Sequence, residues 1–565
     1  MSMTYRAPVA DIAFTLNRLA GLERLAGEGG FPDLDDDLVQ AVLEAAAQLA
    51  EGVFAPLNTV GDKEGVRLEN GRVIVPEGFK AAFQAYAEGG WHGLSADPAH
   101  GGQGLPHVLH LAVFEMWHAA NMSLAIGPTL VPAALEAILT HGSEAQKAQV
   151  APKLISGEWA ATMNLTEPQA GSDVGLLRTR AEPDGNGRFR VTGEKIFITW
   201  GDHDCAANIA HLVLARLPDA PAGVKGISLF LVMRDEAGGP NAVRVGGVEH
   251  KLGLHGSPTC TMLYEGAVGD LVGGPGDGLA NMFTMMNRAR LNVGVQGVGI
   301  AHRAFQKALA YAQERRQGRS PWSGEAPAPI WDHPDIRRRL GLLRARIDAA
   351  RAICLHAAAA GDLGRAKGDV AAQRREDLLT PVAKAWSTDL GVEAASEALQ
   401  IHGGMGYVEE TGAAQFYRDA RIAPIYEGTN AIQANDLAGR KIADGGEAMG
   451  ELAAEIRATA DGLGEGLEGV RARLAAGVEA LEAATGWMTA RAGSPDSLAG
   501  ATPYLKLVGD VAGGWMLARA AEADPARAGL ARLYGEHVLA GAPAAADAVR
   551  AGGTDLEAMT PEGLG

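Results

Sequence analysis

A single carboxylate, Glu427, stands between an aromatic ring and a glycine in the segment 425–433, whose sequence is IYEGTNAIQ. The glycine that follows it permits backbone angles that other residues avoid, and Thr429 or Asn430 can cap a helix predicted over residues 430–440. Such a turn can present the carboxylate to a pocket as a general base, while the start of the helix offers free N–H groups to an anion. A solvated surface carboxylate is the alternative interpretation, and only the rest of the chain can decide between the two.

Two other segments place polar groups beside predicted strands. Residues 166–173 (TEPQAGSD) gather hydroxyl and backbone donors around Gly171, as loops do that hold a phosphate or a polar ring edge. A turn with a helix cap is the alternative for this segment. Residues 195–201 (KIFITWG) predict a strand that ends in the hydroxyl of Thr199 beside two aromatic rings. Core strands share that pattern, so neither segment identifies a site on its own.

The composition excludes several classes of protein. A chain of 565 residues, 47% of them hydrophobic, is too long for one core and predicts several globular domains. Its formal charge of −18 argues against a broad surface for nucleic acid or for an anionic membrane. The three cysteines are widely spaced and the histidines lack metal-binding spacing, so we expect core thiols, a reducing compartment and no bound metal. Residues 1–30 fit neither a signal peptide nor a membrane span, and the predicted location is cytoplasmic.

The spacing of apolar residues predicts four regions and an α+β fold that is mainly α. Helical spacing marks residues 1–158, apart from a hairpin around Asn70-Gly71. Residues 159–277 predict a β domain, with strands at 188–191, 195–199, 211–215, 226–232 and 260–264. These strands are joined by hairpin-length loops without helical crossovers, which disfavours a Rossmann sheet and a nicotinamide cofactor.

Helical spacing returns in the second half of the chain. Residues 278–444 predict a helical bundle that carries Glu427, with long helices at 279–316, 333–361 and 370–402. Residues 445–565 predict an appended helical domain, with helices at 449–464, 466–484 and 505–523. Acidic residues outnumber basic ones in this last region.

In their order along the chain, these segments resemble the acyl-CoA dehydrogenase family. The resemblance covers about residues 54–441 and rests on the pieces 163–173, 195–201, 251–256 (KLGLHG), 297–303, 400–406 (QIHGGMG), 418–420 (RDA) and 425–433. It implies an N-terminal helical domain, a central β-barrel-like domain and a C-terminal four-helix bundle. The N-terminal YRAPV, an extended loop with HPD after it, and the appended C-terminal helical domain are more similar to the larger subgroup that includes 3-methylmercaptopropionyl-CoA dehydrogenase.

The resemblance implies non-covalently bound FAD, held between the β domain and the second helical domain and completed by a neighbouring subunit. The residues matched to the cofactor contacts of the same chain are Leu165, Thr166, Ser172, Phe197 and Thr199. Those matched to the contribution of the neighbouring subunit are Arg315, Gln400, Gly403 and Gly404, with Thr429 on the helix that follows the base.

Glu427 matches the base of the family. In the implied reaction it removes the α proton of an acyl-CoA thioester while a hydride leaves the β carbon for flavin N5, and the product is a trans-2-enoyl-CoA. Ala289 stands where some relatives carry their base, and alanine cannot accept a proton. The residues matched to the substrate site are Ser172, Arg290, Tyr426 and Gly428. A helix salt bridge for Arg290 and a core role for Tyr426 are the alternatives.

The resemblance further implies electron-transferring flavoprotein as the electron acceptor and a homo-oligomer, with a dimer expected ahead of a tetramer. Two other functions stay open. One is a flavoprotein of the alkylation-response branch, which binds DNA, and the other is an acyl-CoA oxidase, in which oxygen reaches the reduced flavin. The acidic appended domain counts against the first, and neither nucleic acid nor a membrane is an expected partner.

Overall fold

A computed structural model of the chain describes residues 5–553 and 555–565, and its first region is helical. The helices of this region are α1 (Val9–Phe14), α2 (Leu22–Glu28), α3 (Asp36–Leu49), α4 (Asn58–Glu64), α5 (Phe79–Glu88), α6 (His107–Ala120), α7 (Met122–Ala125), α8 (Leu130–His141) and α9 (Glu144–Ile155). All 14 residues of α6 are buried. A helix of this kind needs neighbours on every side, and α6 packs against α3 and against the long helices of the second half of the chain.

A short hairpin interrupts this helical region, as predicted. Strand β1 (Arg67–Glu69) pairs antiparallel with β2 (Arg72–Ile74). The two turn residues, Asn70 and Gly71, have positive φ angles of 52° and 77°. Asn-Gly is the preferred pair for such a turn, which is why the hairpin could be located from the sequence.

Two helical stretches of the first region, Asp36–Glu64 and Met122–His141, are long and apolar enough to cross a membrane by length and composition. In the second stretch, 78% of the most apolar window is buried inside the protein, as in the core helix of a globular domain. The first stretch buries Val39, Leu43 and Ala46 at helical spacing, the pattern of an amphipathic helix that packs on a core.

The β domain contains β3 (Trp159–Asn164), β4 (Arg180–Pro183), β5 (Phe189–Thr199), β6 (Asn208–Arg216), β7 (Ile227–Met233), β8 (Asp235–Glu236), β9 (Gly239–Pro240), β10 (Val243–Val248) and β11 (Thr259–Val272). Strands β11, β5, β4, β6 and β7 pair in that order, and β7 closes the ring by pairing with β11. Strand β10 adds to β11, and β3 adds to β6. This closed arrangement confirms the predicted β-barrel-like domain.

The topology of the barrel differs from the prediction in one respect. Strands β3 and β4 pair parallel to β6, so these pairings are not hairpins. Parallel strands need a crossover connection, and between β3 and β6 the crossover consists of the antiparallel pair β4–β5 instead of a helix.

Three long helices form the second helical region: α10 (Gly278–Glu314), α11 (Pro334–Lys367) and α12 (Val370–His402). They pack against one another, and the shorter α13 (Ala413–Ala420) and α14 (Asn430–Asp436) pack on α12. The predicted helices agree with these to within two residues at each end, except that α11 continues to Lys367 instead of ending at residue 361. The helix predicted over 430–440 is α14 followed by a π-helical turn, Leu437–Lys441.

The appended domain consists of α15 (Glu447–Gly462), α16 (Glu468–Thr489), α17 (Pro495–Ala523), α18 (Ala528–His537), α19 (Ala542–Arg550) and α20 (Pro561–Leu564). Helix α17 docks on α11 and α12. There, Trp386 of α12 donates from Nε1 to Asp510 Oδ1 at 3.0 Å. Gly509 lies so close to this ring that a Cβ would meet it at 2.4 Å. The appended domain therefore shares one hydrophobic core with the second helical region.

Candidate active site

The loop after β3 and the end of β5 lie side by side. Ile196 donates its backbone N–H to the carbonyl of Thr166 at 2.9 Å. This bond brings Leu165 and Thr166 next to the strand end that carries Phe197 and Thr199. Four of the residues predicted to contact the flavin are thus brought together by the barrel.

A buried ion pair holds this loop in place. Lys195, whose side chain is fully buried, donates from Nζ to Glu167 Oε1 at 2.8 Å and to the Leu165 carbonyl at 3.0 Å. Glu167 also accepts the backbone N–H groups of Arg178 and Thr179, at 2.6 and 3.0 Å. Burial alone would raise the pKa of Glu167, but the charge and hydrogen bond of Lys195 bring it down to about 2. Burial lowers the pKa of Lys195 to about 8, against the opposing charge of Glu167.

Several groups of this loop and of the end of β5 are free to bind a ligand. Among the described residues, the hydroxyls of Thr166, Ser172 and Thr199 have no hydrogen-bond partner. Phe197 has a left-handed φ of 59°, and its side chain is 59% exposed, although it stands near the end of a barrel strand. An exposed aromatic ring beside unpaired hydroxyls suits a planar ligand with polar edges. Thr166, Phe197 and Thr199 therefore fit the isoalloxazine ring of FAD, and the hydroxyl of Ser172 suits the pyrophosphate that the resemblance implies for it.

Glu427 lies in a tight turn between α13 and α14. Its φ is 55°, a left-handed value that is uncommon outside glycine, and Gly428 follows with a φ of 81°. A Cβ on Gly428 would stand 2.7 Å from Nε2 of Gln433, and this amide donates to the Glu427 carbonyl at 3.2 Å. Thr429 caps α14 by accepting the backbone N–H of Ile432. The glycine and the threonine thus build the turn in the way that the sequence predicted.

The carboxylate of Glu427 is partly buried and accepts no hydrogen bond from any residue in the described part of the chain. Burial raises the pKa of Glu427 above its ordinary value, and the positive charges of Arg290 and Lys384 offset part of this rise. A free carboxylate with a raised pKa is suited to accept a proton near neutral pH.

Arg290 and Tyr426 flank the base, and both contact other parts of the protein. Arg290 is buried on α10 and contacts Asp436 Oδ2 from Nη1 at 3.3 Å. Its Nε atom has no partner among the described residues, so a donor remains for a ligand. Tyr426 donates its hydroxyl to Gln296 Oε1 on α10 and packs against the core. Arg290 thus forms a salt bridge, but with Asp436 of α14 and not within its own helix as the alternative had it, and Tyr426 has the core contact that the sequence left open.

A cavity of about 370 Å³ lies between α10, α12 and the start of the appended domain. Cations and carboxylates share its walls: Arg290, Arg374, Arg440 and Lys441, with Asp377, Asp436 and Asp444. Arg290 lines this cavity. It is also close to Glu427, because its charge lowers the pKa of that carboxylate. The cavity and the base turn are therefore neighbours.

The predicted partner-subunit residues lie at the far ends of α10 and α12, where all are exposed: Arg315, Gln400, Gly403 and Gly404. The rings of Tyr311 and His402 stack with their centroids 4.4 Å apart and join the two helix ends. Arg290 lies within α10, and Arg315 is the C-cap at the end of the same helix. Because a helix rises about 1.5 Å per residue, the two residues are about 37 Å apart along its axis. The structure thus places these residues in a second group, far from the base turn of the same chain.

Several residues that hold the site were not predicted to do so. The sequence assigned no role to five of them: Glu167, Lys195, Gln296, Lys384 and Gln433. A signal existed for both lysines. Lys384 is the only charge in the apolar run PVAKAW of α12, and Lys195 directly precedes the mostly apolar IFIT at the end of β5. A cation buried beside such residues must find polar partners.

Models of protein families match four consecutive parts of the chain. The N-terminal, middle and C-terminal domains of acyl-CoA dehydrogenase match residues 39–158, 162–267 and 276–442. A model described as acetyl-CoA dehydrogenase C-terminal like matches residues 452–560.

Individual proteins match over almost the whole length. The chain is 46% identical over 532 residues to 3-methylmercaptopropionyl-CoA dehydrogenase of Ruegeria pomeroyi, with 90% of each protein covered. Its fold is shared with Caenorhabditis elegans ACDH-11 in complex with C11-CoA, with a TM-score of 0.83, 21% identity and coverage of 95% and 92%. The fold is also shared with an acyl-CoA dehydrogenase from Bacillus anthracis complexed with FAD, with a TM-score of 0.76, 21% identity and coverage of 92% and 89%. The family matches and the barrel between two helical regions establish that the chain belongs to the acyl-CoA dehydrogenase family of FAD-dependent oxidoreductases, in the subgroup that includes 3-methylmercaptopropionyl-CoA dehydrogenase.

Proposed function

We propose that the protein converts an acyl-CoA thioester into the trans-2-enoyl-CoA, with Glu427 as the base that removes the α proton. The observation that carries this proposal is the free, partly buried carboxylate of Glu427 on a turn of left-handed backbone, beside Arg290 and Lys384. No other carboxylate replaces it at the position that some relatives use, because Ala289 has only a methyl side chain.

In this reaction the α proton moves to a carboxylate oxygen of Glu427, a hydride leaves the β carbon, and a C=C bond forms between the two carbons. FAD, when bound, supplies the two-electron acceptor for the hydride. The raised pKa of Glu427 makes its carboxylate a stronger base and so assists the removal of a weakly acidic proton. The Nε of Arg290, which has no partner among the described residues, is the donor that we assign to the substrate.

The test is the substitution Glu427→Gln, which keeps the size of the side chain and removes the base. We expect the purified variant to keep its FAD absorbance and to lose turnover by about 10²- to 10⁴-fold. Glu410→Gln changes an exposed carboxylate and is the matched control, expected to leave turnover unchanged. Appreciable turnover by Glu427→Gln would contradict the proposal.

For the cofactor, we propose that Thr166, Ser172 and Thr199 bind polar groups of FAD, that Phe197 stacks on its ring and that Leu165 contributes backbone. The unpaired hydroxyls and the exposed ring support this assignment. The variant Phe197→Ala should lose FAD during gel filtration, as measured by the ratio of flavin to protein absorbance.

We propose further that Arg315, Gln400, Gly403 and Gly404 complete the FAD site of a neighbouring subunit in a homodimer, and that Thr429, which lies in the base turn and outside this group, also contacts FAD. Two observations support this: the distance of about 37 Å between Arg315 and Arg290 within one chain, and the exposure of Tyr407, which is 93%.

Mixed dimers test the proposal. Arg315→Ala and Glu427→Gln should each be inactive alone, and subunit exchange should restore activity, because one site then has both native residues. A mixture that stays inactive, or a protein that is monomeric by light scattering, would refute it.

For the substrate, we propose a short acyl-CoA, and 3-methylmercaptopropionyl-CoA is the first candidate because the relative that carries that name is 46% identical. The cations of the cavity beside Arg290 suit the phosphates of coenzyme A. Anaerobic titration of the flavin with a panel of acyl-CoAs tests this, and the short thioesters should bleach the flavin at the lowest concentrations.

We propose electron-transferring flavoprotein as the acceptor of the electrons from the reduced flavin. Hydrogen peroxide formed at the full turnover rate under air would identify an oxidase instead.

A further inference from the structure

We propose that Lys384 is the positioning residue of the base: its ammonium group fixes the turn that carries Glu427 and holds the carboxylate ionised before the proton transfer. This inference rests on the proposed role of Glu427. Lys384 lies in the middle of α12, and its side chain is fully buried.

The contacts of Lys384 reach both sides of Thr429. Its Nζ atom donates to the carbonyl of Gly428 at 2.9 Å and to Oδ1 of Asn430 at 2.8 Å. The first acceptor is the carbonyl of the residue directly after the base, and the second belongs to the first residue of α14. One ammonium group therefore anchors the left-handed turn to α12.

The amide of Asn430 is itself oriented by α12. Its Nδ2 atom donates to the Ala385 carbonyl at 3.1 Å, to Thr388 Oγ1 at 3.1 Å and to Asp389 Oδ1 at 2.8 Å. Because these acceptors face the nitrogen, the amide oxygen points at Lys384. The network thus defines where the lysine head group lies.

Neither acceptor of Lys384 is charged, which is unusual for a lysine with no solvent contact. The charged groups that act on it are Glu427 from the turn, Asp389 from α12 and Arg290 from α10. Burial lowers the pKa of Lys384 to about 7, and the two carboxylates oppose this shift. An apolar side chain of similar length would fill the same space without the cost of a buried charge.

The charge of Lys384 has a use in the reaction. Burial raises the pKa of Glu427, and two charges oppose this rise: first that of Arg290 on α10 and then that of Lys384. Opposite charges attract more strongly where water is excluded, so the effect grows when a substrate covers the turn. The base then remains a carboxylate until the α proton reaches it.

The test compares two substitutions at this position. In Lys384→Met, which removes the charge and the donors, we expect the acid limb of the pH profile of kcat/KM to move up by about one pH unit and kcat to fall about 10- to 100-fold as the turn loosens. Lys384→Gln keeps an N–H donor for the same oxygens, so the acid limb should move in the same way with a smaller loss of kcat.

Lys251→Met is the matched control. This half-buried lysine also donates to a backbone carbonyl, that of Ser257 at 2.9 Å, but it lies in the loop before β11 and does not act on Glu427. Its acid limb should coincide with that of the unmodified enzyme.

Three outcomes would overturn the proposal: a folded, FAD-bound Lys384→Met with an unchanged acid limb, an equal shift in Lys251→Met, or failure of both Lys384 variants to fold while Lys251→Met folds. Turnover by Glu427→Gln would instead refute the role of the base, whatever the Lys384 variants do. The two proposals can therefore fail separately.

Discussion

Two fully buried lysines hold the two halves of the proposed active site, and they do so differently. Lys195, in the barrel strand β5, pairs with Glu167 at 2.8 Å and fixes the loop that carries Thr166. Lys384, in α12, donates to two uncharged oxygens and fixes the turn that carries Glu427. The charge of Lys195 is neutralised by its partner, whereas the charge of Lys384 is left to act on the base.

The difference matches what each region does in the proposed reaction. A loop that binds a cofactor needs a constant shape, and an ion pair with pKa values of about 2 and about 8 stays charged through the neutral range. A base must gain a proton in every turnover, and a cation hydrogen-bonded directly to its carboxylate would oppose that. Anchoring the backbone of the turn instead leaves the Glu427 carboxylate free.

The comparison is tested most strongly by breaking the ion pair of the barrel. Glu167→Leu leaves Lys195 buried without its carboxylate, and we expect the free energy of unfolding to fall by about 3–5 kcal/mol, with loss of FAD. Chemical denaturation and the flavin-to-protein ratio measure the two effects. The exposed pair Lys153–Glu158, at 2.6 Å, supplies the control: Glu158→Gln should change stability by less than about 1 kcal/mol. Equal losses in the two variants would mean that the burial of the pair is unimportant.

The turn of the base can be strained without touching either lysine. In Gly428→Ala, the new Cβ has a left-handed φ of 81° and stands 2.7 Å from Gln433 Nε2. We expect kcat to fall by about 10²-fold, because a shift of about 1 Å in a reacting group has an effect of that size. Gly439→Ala, where a Cβ has open space, should have normal kcat. Normal turnover in Gly428→Ala would show that the turn tolerates movement.

The pH dependence of the free energy of unfolding tests Lys384, which unlike Lys195 donates to no carboxylate. The pKa of Lys384 is about 7 in the folded protein and 10.5 in an ordinary environment, so the unfolded chain binds more protons between these values. Stability from this group therefore rises with pH across that window, by at most about 1.4 kcal/mol per unit. In Lys384→Met the rise should be smaller by this amount, as measured by denaturation at several pH values. Parallel curves of unfolding free energy against pH for the unmodified protein and Lys384→Met would contradict the lowered pKa of Lys384.

The smallest effect is expected on the other side of the turn. Tyr426→Phe removes one hydrogen bond, to Gln296 Oε1, and leaves the contacts of Lys384 intact. Because one neutral hydrogen bond contributes about 1 kcal/mol, kcat/KM should fall by less than about 10-fold and its acid limb should not move. A larger loss would assign part of the positioning to Tyr426.

The helices of this protein were largely predictable, because each signal is local. Residues 370–402 were predicted as a helix and α12 has those bounds, since Asp369 caps its start and Gly403 ends its regular pattern. Helix α17 was predicted too short: the prediction began at residue 505, whereas the helix begins at Pro495 and contains Pro503. A proline is a local stop signal that the packing of α17 against α11 and α12 overrides.

The strands were less predictable, and β5 shows why. It was predicted as two strands but is one, Phe189–Thr199. Val191 and Lys195 are buried at even spacing, but the next buried residue is Ile198, because the pairing with β11 shifts register there and Phe197 adopts a left-handed φ. A simple alternation of period two cannot represent that irregularity, and the same irregularity exposes the ring of Phe197 beside the loop that carries Thr166.

The sequence by itself determined that a glutamate, a glycine and a helix cap follow one another at 427–429, and hence that a turn presents a carboxylate there. Only the tertiary structure decided what supports that turn. Lys384 and Gly428 are 44 residues apart, and Lys195 and Glu167 are 28 apart. Contacts over such separations depend on how helices and strands pack, which the local spacing of residues does not encode. For that reason the position of Glu427 could be predicted, whereas the lysine beneath it could not.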